Sequence, residues 1–353
     1  MEDLILAINP GSTSTKIALY QDKQEIFNEN ITHSQQELEQ YERIIDQIPM
    51  RLAVVRDVLS KHGYSPEKLS IVMGRGGLLP PVHTGGYQVN QTMLNLIMNE
   101  QIPPHASNLG AVLAAEIAKK GGIKAYIYDA VSANEFPPVA KITGMPEVER
   151  KSFYHVLNSR ATAMRYAENR GLRYDELNLI VAHLGGGITV GVHKQGKIVD
   201  TLSDDNGPFA PERAGSVPLL DVIEMCYSGK YSKAEMIKKV RGQGGLRALI
   251  GTSDARVIDR MVQGGDRQAA LVVEAQSLQI AKGIGLLAPV LGSSCDAIIL
   301  TGGLAYFEFL VKLVEEQVNF IAPVVVMAGE YEMEALALGG LRILRGEESA
   351  DEI

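Results

Sequence analysis

Apolar residues run almost unbroken through positions 4–9, yield to a turn of Gly, Ser and Thr at 10–15, and resume at 16–20 before a polar step leads toward a third extended stretch. Short apolar runs bounded by turn residues predict strands, so the chain is expected to open on a β-meander. The pattern returns near residue 177, with apolar runs at 177–183 and 188–193 around a glycine turn at 185–187, and a third run at 197–203. Helical periodicity follows each meander. Residues 36–62 place Ile44, Ile45, Ile48, Leu52, Val55 and Leu59 on one stripe, and residues 266–287 form the counterpart. A further strand comes next in each half, at 69–73 before Gly74, Arg75, Gly76 and Gly77, and at 296–300 before Thr301, Gly302 and Gly303. A last helix and strand close both halves, at 108–119 and 125–128 in one and at 304–318 and 323–327 in the other, so each reads βββαβαβα.

Strands alternating with covering helices imply an α/β fold with mixed sheets buried on both faces, and the repeat implies two similar domains flanking a ligand cleft. The expected domains are residues 1–150, joined by a C-terminal helix near 334–353, and residues 151–333. Two unrelated α/β halves are the plainer alternative.

Composition narrows the function. A chain of 353 residues with 46% hydrophobic and 22% charged residues is that of a folded enzyme with a sizeable core. The net charge of -8 argues against a nucleic-acid partner, which needs a basic face. Cys226 and Cys295 are the only cysteines, too few for a disulfide framework; both are expected in the core of a protein from a reducing, cytoplasmic compartment. Glu2 and Asp3 lack the basic start of a secretory signal, so export is not expected. The most apolar stretch, 283–304, is interrupted by Pro289, Gly292 and Asp296, which predicts helix, turn and buried strand rather than a membrane span.

The turns carry the candidate chemistry. Asn9, Pro10, Gly11, Ser12, Thr13, Ser14, Thr15 and Lys16 offer backbone N–H groups and hydroxyls to phosphate oxygens and end on a cation. The order of a Walker A loop is absent, and a strand rather than a helix follows. His183 with Gly185, Gly186 and Gly187 occupies the equivalent place in the second half, where missing Cβ atoms let backbone approach a bulky anion. Thr301, Gly302 and Gly303 close a strand and open a helix, so their N–H groups suit part of a nucleotide. Each feature has a structural alternative: a hairpin tip for the first turn, a surface pair of Arg213 with Glu212, a turn cap for Asp129, a first-turn helix carboxylate for Glu332, and core histidines for His155 and His183.

With these motifs the sequence resembles the short-chain carboxylate (acetate and butyrate) kinases, within the acetate and sugar kinase, heat-shock chaperone and actin superfamily. The resemblance runs from Asn9 to the segment around Glu332. It implies a duplicated actin-like ATPase fold, ATP/ADP and Mg²⁺ as cofactors, a homo-oligomer, and a small carboxylate as the other substrate. By resemblance Asn9, Ser12, Ser14 and Lys16 form the first phosphate loop, and His183 with Gly185, Gly186 and Gly187 the second. Gly302 and Gly303 match the adenosine segment. Asp254 and Arg256 match a nucleotide-contacting loop, in which Ala255 stands where acetate kinases carry Phe. Arg75 and Arg213 match the arginines that grip the carboxylate and the transferring phosphoryl group, and His155 a histidine that steadies it. His105 lies in a matching segment. Asp129 and Glu332 resemble the carboxylates that organise magnesium and the attacking oxygen.

That chemistry suits these residue types. A fatty acid is ionised at neutral pH, so its oxygen needs no general base. What remains is repulsion between two anions, and phosphoryl transfer is catalysed mainly by positioning and charge stabilisation, for which the planar fork of Arg is suited. Gly76 and Gly77 are expected to leave room for a longer acyl tail, and one methylene contributes about 0.8 kcal/mol, which makes butyrate the expected acid ahead of valerate, isobutyrate, propionate and acetate. A hydroxyl-directed kinase with Asp129 as base and a non-enzymatic nucleotide switch are the alternatives.

Overall fold

The computed structural model describes residues 2–353. By its contacts the chain divides into two compact units, one formed by residues up to Asn134 together with Tyr331–Ile353 and the other by Glu135–Glu330. The first carries β1 (Leu4–Pro10), β2 (Ser14–Gln21), β3 (Gln24–Thr32), β4 (Ile71–Arg75), β5 (Gly86–Gln88) and β6 (Ala125–Tyr128) in the order β3-β2-β1-β4-β6-β5. The second carries β7 (Asn178–Leu184), β8 (Ile188–Lys194), β9 (Lys197–Leu202), β10 (Ala297–Gly302) and β11 (Val324–Ala328) in the order β11-β10-β7-β8-β9. Read from the meander edge, the two orders are the same, with β5 an addition to the first. In both sheets the meander is antiparallel and the remaining core strands run parallel to its first strand. Both meanders also shift register late in their second strand, between Leu19 and Tyr20 and between Val192 and His193. The duplication read from the pattern is therefore a property of the fold.

Six helices cover the sheets: α1 (Ile48–Lys61), α2 (Leu109–Gly121), α3 (Val156–Glu168), α4 (Arg267–Leu287), α5 (Glu308–Val318) and α6 (Glu332–Leu344). Side chains alternate across a strand, so β1 sends Leu6 and Ile8 into a core with Val55 and Leu59 of α1 and Leu113 of α2. Its other face meets α6, where Gly340 lies so close that an added Cβ would stand 3.1 Å from the Ile5 side chain. The second sheet is buried the same way, Ile180 and Ala182 against Val273 and Ile280 of α4 and Leu310 of α5, and Leu179 and Val181 against Ala163 and Tyr166 of α3. Central strands buried on both faces explain the unbroken apolar runs.

Several expectations need correction. The helix predicted over 36–62 is broken: a short turn at Gln35–Leu38 and a 3₁₀ turn at Ile44–Gln47 precede α1. Pro49 is the reason, because it lacks an N–H and is tolerated in a first helical turn but not in an interior. The unit boundary lies at 134/135 rather than at 150/151, because Glu135 accepts from the Ile198 N–H at 2.8 Å and Arg150 donates to Asp200 at 2.6 Å, both within the second unit. It returns at 330/331 rather than at 333/334, since Glu332 bonds to Asn9. Neither cysteine is a core residue: Cys226 is exposed and Cys295 half-buried. Helices at Leu219–Tyr227, Lys233–Val240, Gly245–Ile250 and Ala255–Gln263, inserted between β9 and α4, were not anticipated. Among the described residues one stretch, Arg267–Val290, is long and apolar enough to cross a membrane, and it includes α4, whose Val273, Ile280 and Ile284 belong to the core.

Candidate active site

In each unit the candidate residues gather at the carboxyl ends of the parallel strands, where open α/β sheets bind ligands. In the first unit Ile8 is in register with Gly74 and Arg75 with Tyr128, so Asn9, Arg75 and Asp129 follow one another along the same edge. Lys16 sits across from Asn9 on β2. The Asn9 amide donates to Glu332 Oε2 at 2.6 Å and accepts from Arg75 Nη1 at 3.2 Å. Arg75 reaches both oxygens of Glu332, Nη1 to Oε2 and Nη2 to Oε1, each at 3.4 Å. Its Nε–H is buried and has no hydrogen-bond partner among the described residues, the kind of donor that a ligand completes. Asp129 is buried and holds a left-handed backbone at φ 47°, uncommon for a non-glycine residue. A reciprocal pair of bonds secures it: its N–H donates to the Gly85 carbonyl at 3.0 Å, and its Oδ1 accepts from the Gly85 N–H at 2.8 Å. His105 caps the turn at Ala106–Asn108 with its Nδ1 2.6 Å from the Ser107 hydroxyl.

The space expected after Arg75 is not there. A Cβ on Gly76 would stand 2.5 Å from the Ala130 Cα, and one on Gly77 would stand 2.2 Å from the Asn108 Oδ1. These glycines let two segments pack closely, and their missing side chains leave no enlarged pocket.

In the second unit the 185–187 turn joins β7 to β8, and a Cβ on Gly187 would lie 3.3 Å from Arg213 Nε and 3.4 Å from His155 Cε1. Arg213 and His155 thus meet at the 185–187 turn. The His155 ring stacks on His183 with centroids 4.0 Å apart and 10° between planes. His155 Nδ1 meets the Thr189 hydroxyl at 3.0 Å, and His183 Nδ1 faces the Asn158 amide nitrogen at 2.9 Å, so with that amide orientation the His183 Nδ1 accepts. The Asn158 amide also donates to the Thr301 hydroxyl at 3.3 Å, tying β10 into the group. Arg213 is aimed by Asp204, a buried carboxylate that binds Arg213 Nη1 on one oxygen and Arg241 Nη2 on the other, the latter at 2.7 Å.

A cavity of about 270 Å³ opens beside this group, lined by Gly185, Gly186, Pro211, Glu212, Ser253, Gly303, Leu304 and Glu330. Of the paired glycines where β10 ends, Gly303 lines the cavity while Gly302 serves the fold. Gly302 has φ 91°, and a Cβ there would stand 2.5 Å from the Leu184 carbonyl oxygen, so only glycine fits. The segment after it is a 3₁₀ turn, Gly303–Tyr306, rather than the start of a long helix. Ser253 lines the cavity, but Asp254 and Arg256 pair with each other at the start of the Ala255–Gln263 helix, Nη2 to Oδ2 at 2.7 Å. The bonds from Arg256 hold the Asp254 carboxyl down at about 2.

Sequence reading missed Asp204, Asn158 and Thr189. Asp204 stands in a polar stretch of Ser, Asp and Asn residues that reads as an ordinary loop, and Asn158 and Thr189 become site residues only once α3, β7 and β8 are packed together.

Two sheets of one strand order, each with a polar turn between its first two strands and polar groups at its carboxyl edge, define the actin-like ATPase fold. The acetokinase family model matches residues 150–326, half of the chain, and the chain belongs to that family, whose members are ATP-dependent carboxylate kinases. The architecture agrees with solved structures. Acetate kinase from Porphyromonas gingivalis superposes with a TM-score of 0.79 at 19% identity, over 97% of this chain and 100% of that one. Acetate kinase from Entamoeba histolytica gives 0.75 at 16% identity, and a propionate kinase from Francisella tularensis 0.72 at 17%, each over 96% of this chain and 98% of its own.

Proposed function

We propose that this chain transfers the γ-phosphoryl group of ATP to a short-chain fatty acid, with butyrate the preferred acid: butanoate + ATP ⇌ butanoyl phosphate + ADP. The observation that carries this reading is the meeting of Arg213 and His155 at the Gly187 turn beside an open cavity. A cation fixed there faces the place where phosphate charge must be stabilised, and an ionised acid needs no deprotonation. Arg75, with its unpartnered buried Nε–H, is assigned to the carboxylate and the transferring group. Ser12, Ser14, Lys16 and the glycines of the 185–187 turn are assigned to the phosphates, and Gly303 with Ser253 to the nucleoside end.

Asp129 and Glu332 are buried oxygen donors of the kind magnesium prefers. These two carboxylates would hold an ion that arrives with the nucleotide. When bound with the nucleotide, the ion supplies charge neutralisation at the phosphates.

Butyrate rests on the run of matching motifs, since Gly76 and Gly77 give it no added space. Comparing butyrate, valerate, isobutyrate, propionate and acetate as acceptors, with glycerol and sugars as controls, tests both levels. Butyrate is expected to show the highest kcat/KM; equal values across the acids remove the butyrate assignment, and a preference for glycerol or sugar removes the carboxylate assignment. Self-association and a cytoplasmic setting belong to the same reading. Leu219, Leu220 and Tyr227 are exposed on one short helix that buries nothing, and both cysteines are free. Sedimentation is expected to report more than one copy.

A further inference from the structure

Arg51 on α1 is fully buried, and every acceptor it reaches is neutral. Its Nη1 donates to the Ser14 carbonyl at 2.8 Å and to the Thr15 hydroxyl at 2.9 Å. Its Nη2 donates to the Gly11 carbonyl at 3.0 Å and the Ser12 carbonyl at 3.4 Å, and Gln47 Oε1 takes the Nε at 3.1 Å. A buried guanidinium carries a large desolvation penalty, and here no carboxylate bonds to it in return. Burial pushes its pKa down, and Glu37 offsets that only in part. An arginine remains charged under such conditions. This cation therefore sits directly behind the turn between β1 and β2.

The geometry has a consequence for the other side of the turn. In a trans peptide the carbonyl of one residue and the N–H of the next point in opposite directions, and no cis peptide occurs among the described residues. With the Gly11 and Ser12 carbonyls drawn inward to Arg51, the N–H groups of Ser12 and Thr13 are turned away from it. Donors presented together in this way form an anion-binding concavity, and a cation behind them strengthens it. We propose that Arg51 is a positioning residue for phosphate binding: it holds the turn's carbonyls inward so that the Ser12 and Thr13 N–H groups face the nucleotide phosphates, and its charge favours the anion there. This rests on the assignment of the 9–16 turn to phosphate.

The test is calorimetric titration of ATP, ADP and adenosine into wild type, Arg51→Gln, Arg51→Lys and Lys16→Ala, with the melting temperature of each. In Arg51→Gln the Kd for ATP is expected to rise about tenfold, that for ADP less, and that for adenosine not at all, following the charge of the ligand. Arg51→Lys keeps the charge without the fork and is expected to fall between wild type and Arg51→Gln; if Arg51→Gln does not fold, unchanged ATP binding by Arg51→Lys alone overturns the proposal. A merely structural residue would lower the melting temperature and leave the ratio of ATP to ADP affinity as in wild type, and that result also overturns it. Weakened ATP binding in Lys16→Ala with none in Arg51→Gln removes the role of Arg51 while leaving the turn's assignment intact. No effect from either variant removes both.

Discussion

Arg213 owes its direction to Asp204, and the two should fail differently. With Arg213 assigned to the transferring group, Arg213→Ala is expected to lower kcat by about two to three decades, as for loss of a transition-state donor, and Arg75→Ala is expected to match it. Asp204→Asn keeps the guanidinium but frees its aim, and misplacement of that kind costs up to about a hundredfold in kcat. Steady-state kinetics of the purified variants checks both, and near-normal turnover in Arg213→Ala would remove its role. Gly77→Ala tests the packing that replaced the expected acyl space. With Asn108 Oδ1 2.2 Å from the new atom, the substitution is expected to destabilise by about 1–3 kcal/mol while leaving the order of acids unchanged. A stable variant with a narrowed acid range would show that space had been there after all. At this scale the sequence names residues well and environments poorly: Arg75 and Arg213 are visible in their motifs, whereas nothing in the spacing of Gly76 and Gly77 distinguishes an open pocket from a close approach of backbone.

Elements explain why the site holds together. Strand β8 carries His193 into the middle of the second unit, where Tyr174 meets its Nδ1 at 2.8 Å and Tyr154 its Nε2 at 3.2 Å. Tyr154 adjoins His155, so this trio, with Tyr154 and His193 buried and Tyr174 half-buried, anchors the start of α3 beneath the candidate site. Burial, with Arg160 adding to it, lowers the His193 pKa from 6.5 to about 3. The unfolded chain then binds the extra proton between those values, so the neutral histidine's contribution is complete above about pH 6.5 and is lost as pH falls, at about 1.4 kcal/mol per unit. Denaturant unfolding from pH 7 to 5 is expected to show this decline and to show less of it in His193→Gln; the same slope in both would remove His193 as its source. The meanders and the parallel strands after them were legible, because buried central strands write continuous apolar runs. The edge strand β5, of three residues, and the helices inserted after β9, of six to nine residues, were not, because pieces so short are fixed by the neighbours they meet.

For the whole molecule, the chain path is less regular than the repeat suggests. The helix that follows the last strand of the first half, α3, packs on β7 and β10 of the second unit, while α6, which follows the last strand of the second half, packs on β1, β2 and β4 of the first. The repeat could be read from the pattern, but the unit boundary could not, because polar contacts of Glu135 and Arg150 rather than composition decide it. α6 also opens on Glu332, so the segment that completes the first unit delivers the carboxylate that engages Asn9 and Arg75. Every one of these assignments depends on phosphorylation of a fatty acid by this chain. The measurement that tests it most directly is trapping with hydroxylamine in a reaction of the pure protein with ATP, Mg²⁺ and butyrate. Butyryl hydroxamate is expected to form in step with ADP and to be absent without the acid; ADP released with no hydroxamate, at a rate indifferent to butyrate, would rule that activity out.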